Sequence, residues 1–172
     1  MNDYDNPDLT NLGARRPDAG SAPKLSFVSA DRGPNAGALE LTAAFTGTDQ
    51  YVSADVALGF PGLSLSGKTL RAWVKLVSGP LDGGVSLYAC SGGAAYVCPR
   101  ATVEAAQLAA GVWVQLTLDL AATASAGFDP SGIVEIGIQV LASPTSPDGG
   151  TADGGRFAST GDTVIQIDSV TD

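Results

Sequence analysis

Short stretches of alternating apolar and polar residues make up most of the chain from residue 25 onwards. In residues 69–77, for example, Leu70, Ala72, Val74 and Leu76 alternate with larger polar or aromatic side chains. A period of two places the apolar side chains on one face of a strand, so we expect sheets with one buried face each. The pattern predicts eight strands, at residues 25–29, 38–44, 51–58, 69–77, 85–90, 112–120, 133–141 and 163–170.

Helical periodicity is almost absent. The only stretch that favours a helix is 103–110, which allows two or three turns at most, and a weak strand-like piece covers 96–103. Parallel α/β folds need strands that alternate with helices, and this chain lacks that order. The predicted class is therefore all-β, an antiparallel two-sheet β-sandwich.

The two segments without alternation lie at residues 1–24 and 143–162. The first holds Asp, Asn, Pro and Gly and is predicted to be an N-terminal tail or linker, or a strap along the domain edge, which leaves 25–172 as the β-sandwich domain. The second is a long irregular segment, which is usually functional or mobile in a compact domain. Met1 runs directly into polar residues without a signal peptide, so we expect a mature fragment with an added start.

Composition removes several classes of function. The chain has 172 residues, a net charge of −9 and no histidine. Without histidine, Ser-His-Asp and Cys-His catalysis and His-ligated zinc are excluded. Nucleic-acid binding needs a basic face, and a membrane span needs about 20 apolar residues, so neither partner is expected. The acidic excess is most simply a solvated surface.

The two cysteines, Cys90 and Cys98, lie close together in the sequence. They form no CxxC motif, and a zinc site would need two further ligands nearby. We predict a local disulfide that clamps the tip of a hairpin, which implies an oxidising compartment. The alternative is a pair of free, inert thiols.

Six short motifs follow one another in a recognisable order. They are GALEL at 37–41, LSGKTLRAWV at 65–74, GVWVQL at 111–116, FDPS at 128–131, IGIQV at 136–140 and IQIDSV at 165–170. This order resembles the galactose-binding-like, jelly-roll carbohydrate-binding modules attached to bacterial glycoside hydrolases, over about residues 25–172. The resemblance implies a non-catalytic module that binds a plant-type or cell-wall polysaccharide or oligosaccharide. It also implies a secreted or cell-surface location within a larger multidomain protein.

The resemblance further implies a strand order and a binding face. The second, seventh, fourth and fifth predicted strands would form one sheet, with the sugar on its outward face, and the remaining four would form the other sheet. Aromatic rings stack on the C–H faces of sugars, and forked polar groups bond their hydroxyls. The predicted ligand-binding residues are Trp73, Arg71, Lys75, Tyr88, Gln139, Glu135 and Glu40.

Four more residues complete this prediction. Gly137 would leave room for a ring close to the backbone, and Tyr96 would lie at the rim. Trp113 is predicted to be structural, on the opposite sheet. In the alternative interpretation, Trp73 belongs to a cation–π cluster beneath the 143–162 segment and its Phe157.

The resemblance also implies one structural Ca²⁺ at the sandwich edge. Asp168, in the last predicted strand, matches the position of a carboxylate ligand in such modules. Calcium takes six to eight oxygen ligands, for which Asp5, Asp8 and Asp31 are the candidate partners.

Two other classes of function are weighed against glycan binding. The first is a structural or adhesive jelly-roll domain of a secreted or surface protein, with a protein partner. The second is a glycosidase, which needs two carboxylates about 5–9.5 Å apart, and only Glu40 with Glu135 would supply them in the implied strand order. Nothing else in the sequence supports an enzyme, so we expect no catalytic activity.

Overall fold

The computed structural model describes residues 12–15, 23–29, 37–46, 50–92, 96–123, 125–143 and 161–171. A short 3₁₀ helix at Ala105–Gln107 accompanies ten strands in these ranges. The strands are β1 Leu12–Arg15, β2 Lys24–Ser29, β3 Gly37–Phe45, β4 Tyr51–Ala57, β5 Thr69–Ser78, β6 Gly84–Ser91, β7 Arg100–Glu104, β8 Trp113–Asp119, β9 Ile133–Leu141 and β10 Gly161–Thr171.

The strands form two five-stranded sheets. Sheet A has the order β1-β4-β9-β6-β7, and sheet B has the order β2-β3-β10-β5-β8. Every strand pairing is antiparallel. The predicted all-β sandwich is confirmed, and each of the eight predicted strands has an observed counterpart. The weak piece at 96–103 contains the start of β7, and the helix-favouring stretch holds only the 3₁₀ turn.

The core lies between the sheets and is built by the alternation along each strand. On β5, Leu70, Ala72 and Val74 are at most 2% exposed and face sheet A. Phe45 and Ile165 fill the core from the other strands of sheet B. Each buried Val, Leu, Ile or Phe side chain contributes roughly 1.5–3 kcal/mol through its removal from water, so the core holds the two sheets together.

The N-terminal segment contributes an edge strand. β1 pairs with β4, so that Gly13 lies opposite Asp55 and Arg15 lies opposite Ser53. Of the two interpretations offered for residues 1–24, the described part agrees with a strap along the edge of the domain. The remainder of that segment lies outside the described residues.

The implied strand order is wrong in one respect that matters for function. β3 and β5 were expected beside β9 and β6, but they belong to sheet B, and β4 belongs to sheet A. Alternation shows which face of a strand is buried, but it carries no information about the sheet that the strand joins. The predicted binding residues are therefore divided between two opposite surfaces of the sandwich.

The predicted disulfide is confirmed. Cys90 in β6 is bonded to Cys98 ahead of β7, with an S–S distance of 2.07 Å. A single β-bridge between Ser91 and Val97 continues the same hairpin beyond the disulfide. In the described ranges, no helix has the length and apolar character needed to cross a membrane.

Candidate functional site

The outward surface of sheet A carries two rows of polar side chains. One row runs Ser53, Gln139, Ser86 and Thr102 across β4, β9, β6 and β7. The second row runs Asp55, Gly137, Tyr88 and Arg100 across the same four strands. Glu135 lies one row further along, opposite Cys90. We call this surface the sheet A face.

Most of the sheet A face is shielded from water although it points away from the core. Asp55 is 2% exposed, Glu135 8% and Gln139 9%. Ser53, Ser86 and Tyr88 are buried as well. Buried polar groups require hydrogen-bond partners, so their contacts determine how this surface is organised.

Glu135 is the centre of one hydrogen-bond network. The Tyr88 hydroxyl donates to its Oε1 at 2.9 Å, and the Tyr96 hydroxyl donates to its Oε2 at 2.6 Å. Two phenols from different parts of the β6–β7 hairpin therefore hold one carboxylate.

Gly137 explains the position of the Tyr88 ring. A Cβ on Gly137 would lie 2.6 Å from the Tyr88 hydroxyl oxygen and 2.7 Å from its Cζ. The ring consequently lies against the backbone of β9, which only a glycine at this position permits. Gly137 does make room for a ring, as its position in the sequence predicts, but that ring belongs to Tyr88.

The Tyr88 phenol is held neutral. Burial raises its pKa well above the usual value, and the carboxylates of Asp55 and Glu135 raise it further. Asp55 itself accepts a hydrogen bond from the Ser53 hydroxyl at 3.2 Å. Tyr88 is therefore a permanent donor at neutral pH, and it directs its proton to Glu135.

A second network spans β9, β6 and β7. Arg100 Nη1 donates to Gln139 Oε1 at 3.0 Å, and the hydroxyls of Ser86 and Thr102 are 2.7 Å apart. Arg100 is exposed, whereas Gln139 is buried. Sequence reasoning missed Arg100 because β7 shows weak alternation, and it missed Asp55 because β4 was assigned to the other sheet.

The outward surface of sheet B carries the rest of the predicted set. Trp73, Lys75 and Arg71 lie on β5, and Glu40 lies on β3. Trp113 on β8 lies opposite Lys75, so it shares this surface with Trp73, and its predicted placement on the opposite sheet is wrong. We call this surface the sheet B face.

The sheet B face is stabilised by contacts among its own residues. Lys75 Nζ lies 4.7 Å from the centre of the Trp113 ring, a cation–π geometry. Gln166 Nε2 donates to Glu40 Oε2 at 3.1 Å, while Gln166 Oε1 is buried and accepts no hydrogen bond from the described residues. Trp73 is half-buried. The proposed cover over it, with Phe157, lies outside the described residues.

The calcium and enzyme interpretations meet different outcomes. Asp168 is buried opposite Trp73, and no group of three metal-ligating carboxylates or thiolates occurs in the described part of the chain. Its candidate partners fall outside that part, so the Ca²⁺ stays a prediction.

The Glu40–Glu135 pair is wrong, because the two residues lie on opposite sheets with the core between them. They cannot flank one glycosidic bond.

Comparison with known proteins identifies the fold. No protein-family model matches the chain, and no curated protein matches its sequence. One solved structure, a carbohydrate-binding module of the β-sandwich superfamily with promiscuous specificity, superposes with a TM-score of 0.69 at 14% identity, covering 94% of this chain. The present chain spans 56% of that structure's length.

Two further structures have the same architecture. The family 11 carbohydrate-binding module of Clostridium thermocellum, in complex with a β-1,3-1,4-mixed-linked tetrasaccharide, gives a TM-score of 0.58 at 14% identity over 99% of this chain and 91% of its own. The CBM22-1 xylan-binding domain of Paenibacillus barcinonensis gives 0.52 at 13% identity over 99% and 92%. The chain thus has the β-sandwich fold of carbohydrate-binding modules.

Proposed function

We propose that the chain is a non-catalytic carbohydrate-binding module that holds a neutral polysaccharide or oligosaccharide on the sheet A face. The observation that carries this proposal is the pair of hydrogen-bond networks, in which exposed Tyr96 and Arg100 are fixed by buried Glu135 and Gln139. The shared fold supports the same class, since similar structures bind a mixed-linked glucan tetrasaccharide or xylan.

The chemistry of the sheet A face suits a sugar. Tyr96 is 60% exposed, so its ring is available to stack on the C–H face of a pyranose. Arg100 offers several N–H donors in a fixed fork, of which one contacts Gln139. Because their partners are buried, both side chains lose little conformational freedom when a ligand binds.

We assign the glycan to the sheet A face and not to the sheet B face because the two surfaces differ in the side chains that a ligand can contact. On sheet B, Lys75 occupies one side of the Trp113 ring, and the Gln166 amide is bonded to Glu40. On sheet A, the two exposed residues of the networks project from buried anchors towards solvent. On sheet A, a ligand can therefore contact the Arg100 guanidinium and the Tyr96 ring, both of which are already held in position by hydrogen bonds.

Charge and location follow from the same proposal. A net charge of −9 disfavours polyanionic glycans, so a neutral chain is the expected ligand. The disulfide suits a secreted or surface-attached protein, in which this module would accompany other domains. The structural Ca²⁺ at Asp168 is retained as part of the proposal and is tested with chelator.

The test is affinity electrophoresis against xylan, mannan, mixed-linkage glucan, xyloglucan and pectin, with calcium and with chelator. Arg100→Ala is compared with Arg71→Ala, because both arginines are exposed but lie on opposite faces. We expect a neutral polymer to retard the migration of the wild type and of Arg71→Ala, and to leave the migration of Arg100→Ala unretarded.

Two results would contradict the proposal in different ways. If Arg71→Ala abolished retardation and Arg100→Ala did not, the glycan would bind on sheet B. If no polymer retarded the wild type with or without calcium, the structural or adhesive domain with a protein partner would take precedence.

A further inference from the structure

Phe60 is highly exposed for an apolar side chain among the described residues. It is 80% exposed, in the loop between β4 and β5, and Leu58 and Leu63 on the same loop are 37% and 48% exposed. Single exposed apolar residues are ordinary on protein surfaces. A group of them beside a proposed binding face is a candidate contact surface.

The loop that carries Phe60 is held firmly against β9. Leu58 N donates to Val134 O at 2.7 Å, and Leu63 exchanges two backbone hydrogen bonds with Ile133 at 2.8 and 3.0 Å. Gly62 has φ +93°, and a Cβ there would lie 2.8 Å from the Ile133 carbonyl oxygen. Only glycine allows this approach, so the loop presents Phe60 from a fixed backbone.

The Phe60 ring lies at the Glu135 end of the sheet A face. A Cβ on Gly92 would be 2.8 Å from Phe60 Cε1 and Cζ and 2.7 Å from Val134 Cγ1. Val134 immediately precedes Glu135 in β9, and Gly92 immediately follows β6. The ring therefore packs over the end of β6 beside the strand that supplies the carboxylate.

Tyr96 reaches the same place from the hairpin. Its hydroxyl is bonded to Glu135, and its neighbour Val97 bridges to Ser91, one residue before Gly92. Two exposed aromatic side chains, Phe60 and Tyr96, thus lie at the end of the sheet A face that holds the buried Glu135 carboxylate. Exposed rings near a polar group match the apolar and polar sides of a pyranose.

We propose that Phe60 and Tyr96 form a stacking subsite for one neutral pyranose unit at this end of the sheet A face. This inference rests on the proposed function. It specifies the position of one sugar unit on the face and the kind of sugar that binds there. The Tyr88 and Tyr96 hydroxyls hold the Glu135 carboxylate at this end of the face. The same carboxylate repels a uronic acid, which makes the subsite selective for uncharged sugars.

The test is calorimetric titration with three probes: a β-1,3-1,4-mixed-linked glucotetraose, xylotetraose and tetragalacturonate. Phe60→Ala is compared with the wild type, with Phe60→Tyr, which keeps the ring, and with Val112→Ala. Val112 is 52% exposed and precedes β8 of sheet B, so its variant controls for loss of an exposed apolar side chain. Thermal unfolding of each variant establishes that it folds.

We expect Phe60→Ala to weaken binding of a neutral probe about tenfold, while Phe60→Tyr and Val112→Ala bind as the wild type does. If the wild type binds a neutral probe and Phe60→Ala binds it equally well, the subsite is wrong and the proposed function stands. Tighter binding of tetragalacturonate than of the neutral probes would contradict the proposed selectivity for uncharged sugars. If the wild type binds none of the probes, the proposed function itself fails.

Discussion

The two outward faces of the sandwich arrange similar residue types in different ways. On sheet A, Glu135 is buried and holds two tyrosines, one of which is exposed. On sheet B, Glu40 accepts from Gln166, and the ammonium group of half-buried Lys75 lies over the Trp113 ring. Carboxylates, amides, cations and aromatic rings occur on both, so composition alone does not distinguish the proposed binding face from the other face. The difference lies in which groups remain directed to solvent.

Loss of the disulfide should produce the largest change in stability. It closes a loop with a sequence separation of 8, for which chain entropy gives about 2.5 kcal/mol. Since Tyr96 lies within that loop, glycan binding on sheet A should weaken too. Denaturant unfolding and affinity electrophoresis of Cys90→Ser/Cys98→Ser, compared with the wild type, measure both. Full stability of the variant would show that the hairpin contacts alone maintain the fold.

Gly137→Ala should disrupt the sheet A face selectively. The new methyl would overlap the Tyr88 ring, which we expect to cost about 2 kcal/mol, within the range for overpacking. The double variant Gly137→Ala/Tyr88→Ala removes the overlap, so a double-mutant cycle measured by denaturant unfolding should show strong coupling. Additive effects would mean that the ring does not lie against Gly137.

Glu135→Ala and Glu40→Ala compare the two carboxylates directly. Removing Glu135 leaves the buried Tyr88 hydroxyl without its acceptor, at a cost of about 1–3 kcal/mol, and should abolish glycan binding. Removing Glu40 deprives the Gln166 amide of one acceptor and should leave glycan binding unchanged. Unfolding and calorimetric titration of both variants test this. Loss of binding in Glu40→Ala alone would reverse the assignment of faces.

The titration of Tyr88 is the smallest expected effect. An unfolded tyrosine ionises near pH 10, whereas burial and two carboxylates raise the pKa of folded Tyr88 well above that. Its contribution is present below pH 10 and is lost as pH rises further, because only the unfolded chain releases the proton there. Tyr88→Phe should lose stability less steeply above pH 10. Identical pH profiles by thermal unfolding would contradict an environment that holds the phenol neutral.

Alternation along the chain was sufficient to predict most of the architecture. It predicts eight strands, most of their buried positions and the hairpin that carries Cys90 and Cys98, because a half-buried strand imposes a period of two on its own sequence. Leu58 and Val112, which the alternation assigns to buried faces, are exposed, since both lie just outside the observed strands. The pattern does not predict β1, because Leu12–Arg15 is short and lacks a repeating pattern. It also does not predict the sheet to which each strand belongs, because that depends on pairing between distant segments.

The candidate site was predicted in part for the same reason. Tyr88, Glu135 and Gln139 were found through their outward positions, and the structure places them on one face. Trp73, Arg71, Lys75 and Glu40 were joined to them only by the wrong strand order. Phe60 carries no periodic signal, since a loop residue beside Pro61 is indistinguishable in sequence from an ordinary turn.

The most direct test of the central claim is a ¹⁵N-resolved NMR titration of the wild type with β-1,3-1,4-mixed-linked glucotetraose and xylotetraose. The account predicts that a neutral oligosaccharide shifts the amide resonances of β9 and β7, together with Tyr96 and the 58–63 loop. Shifts confined to β5 and β8, around Trp73 and Trp113, would contradict the assignment of the glycan to sheet A.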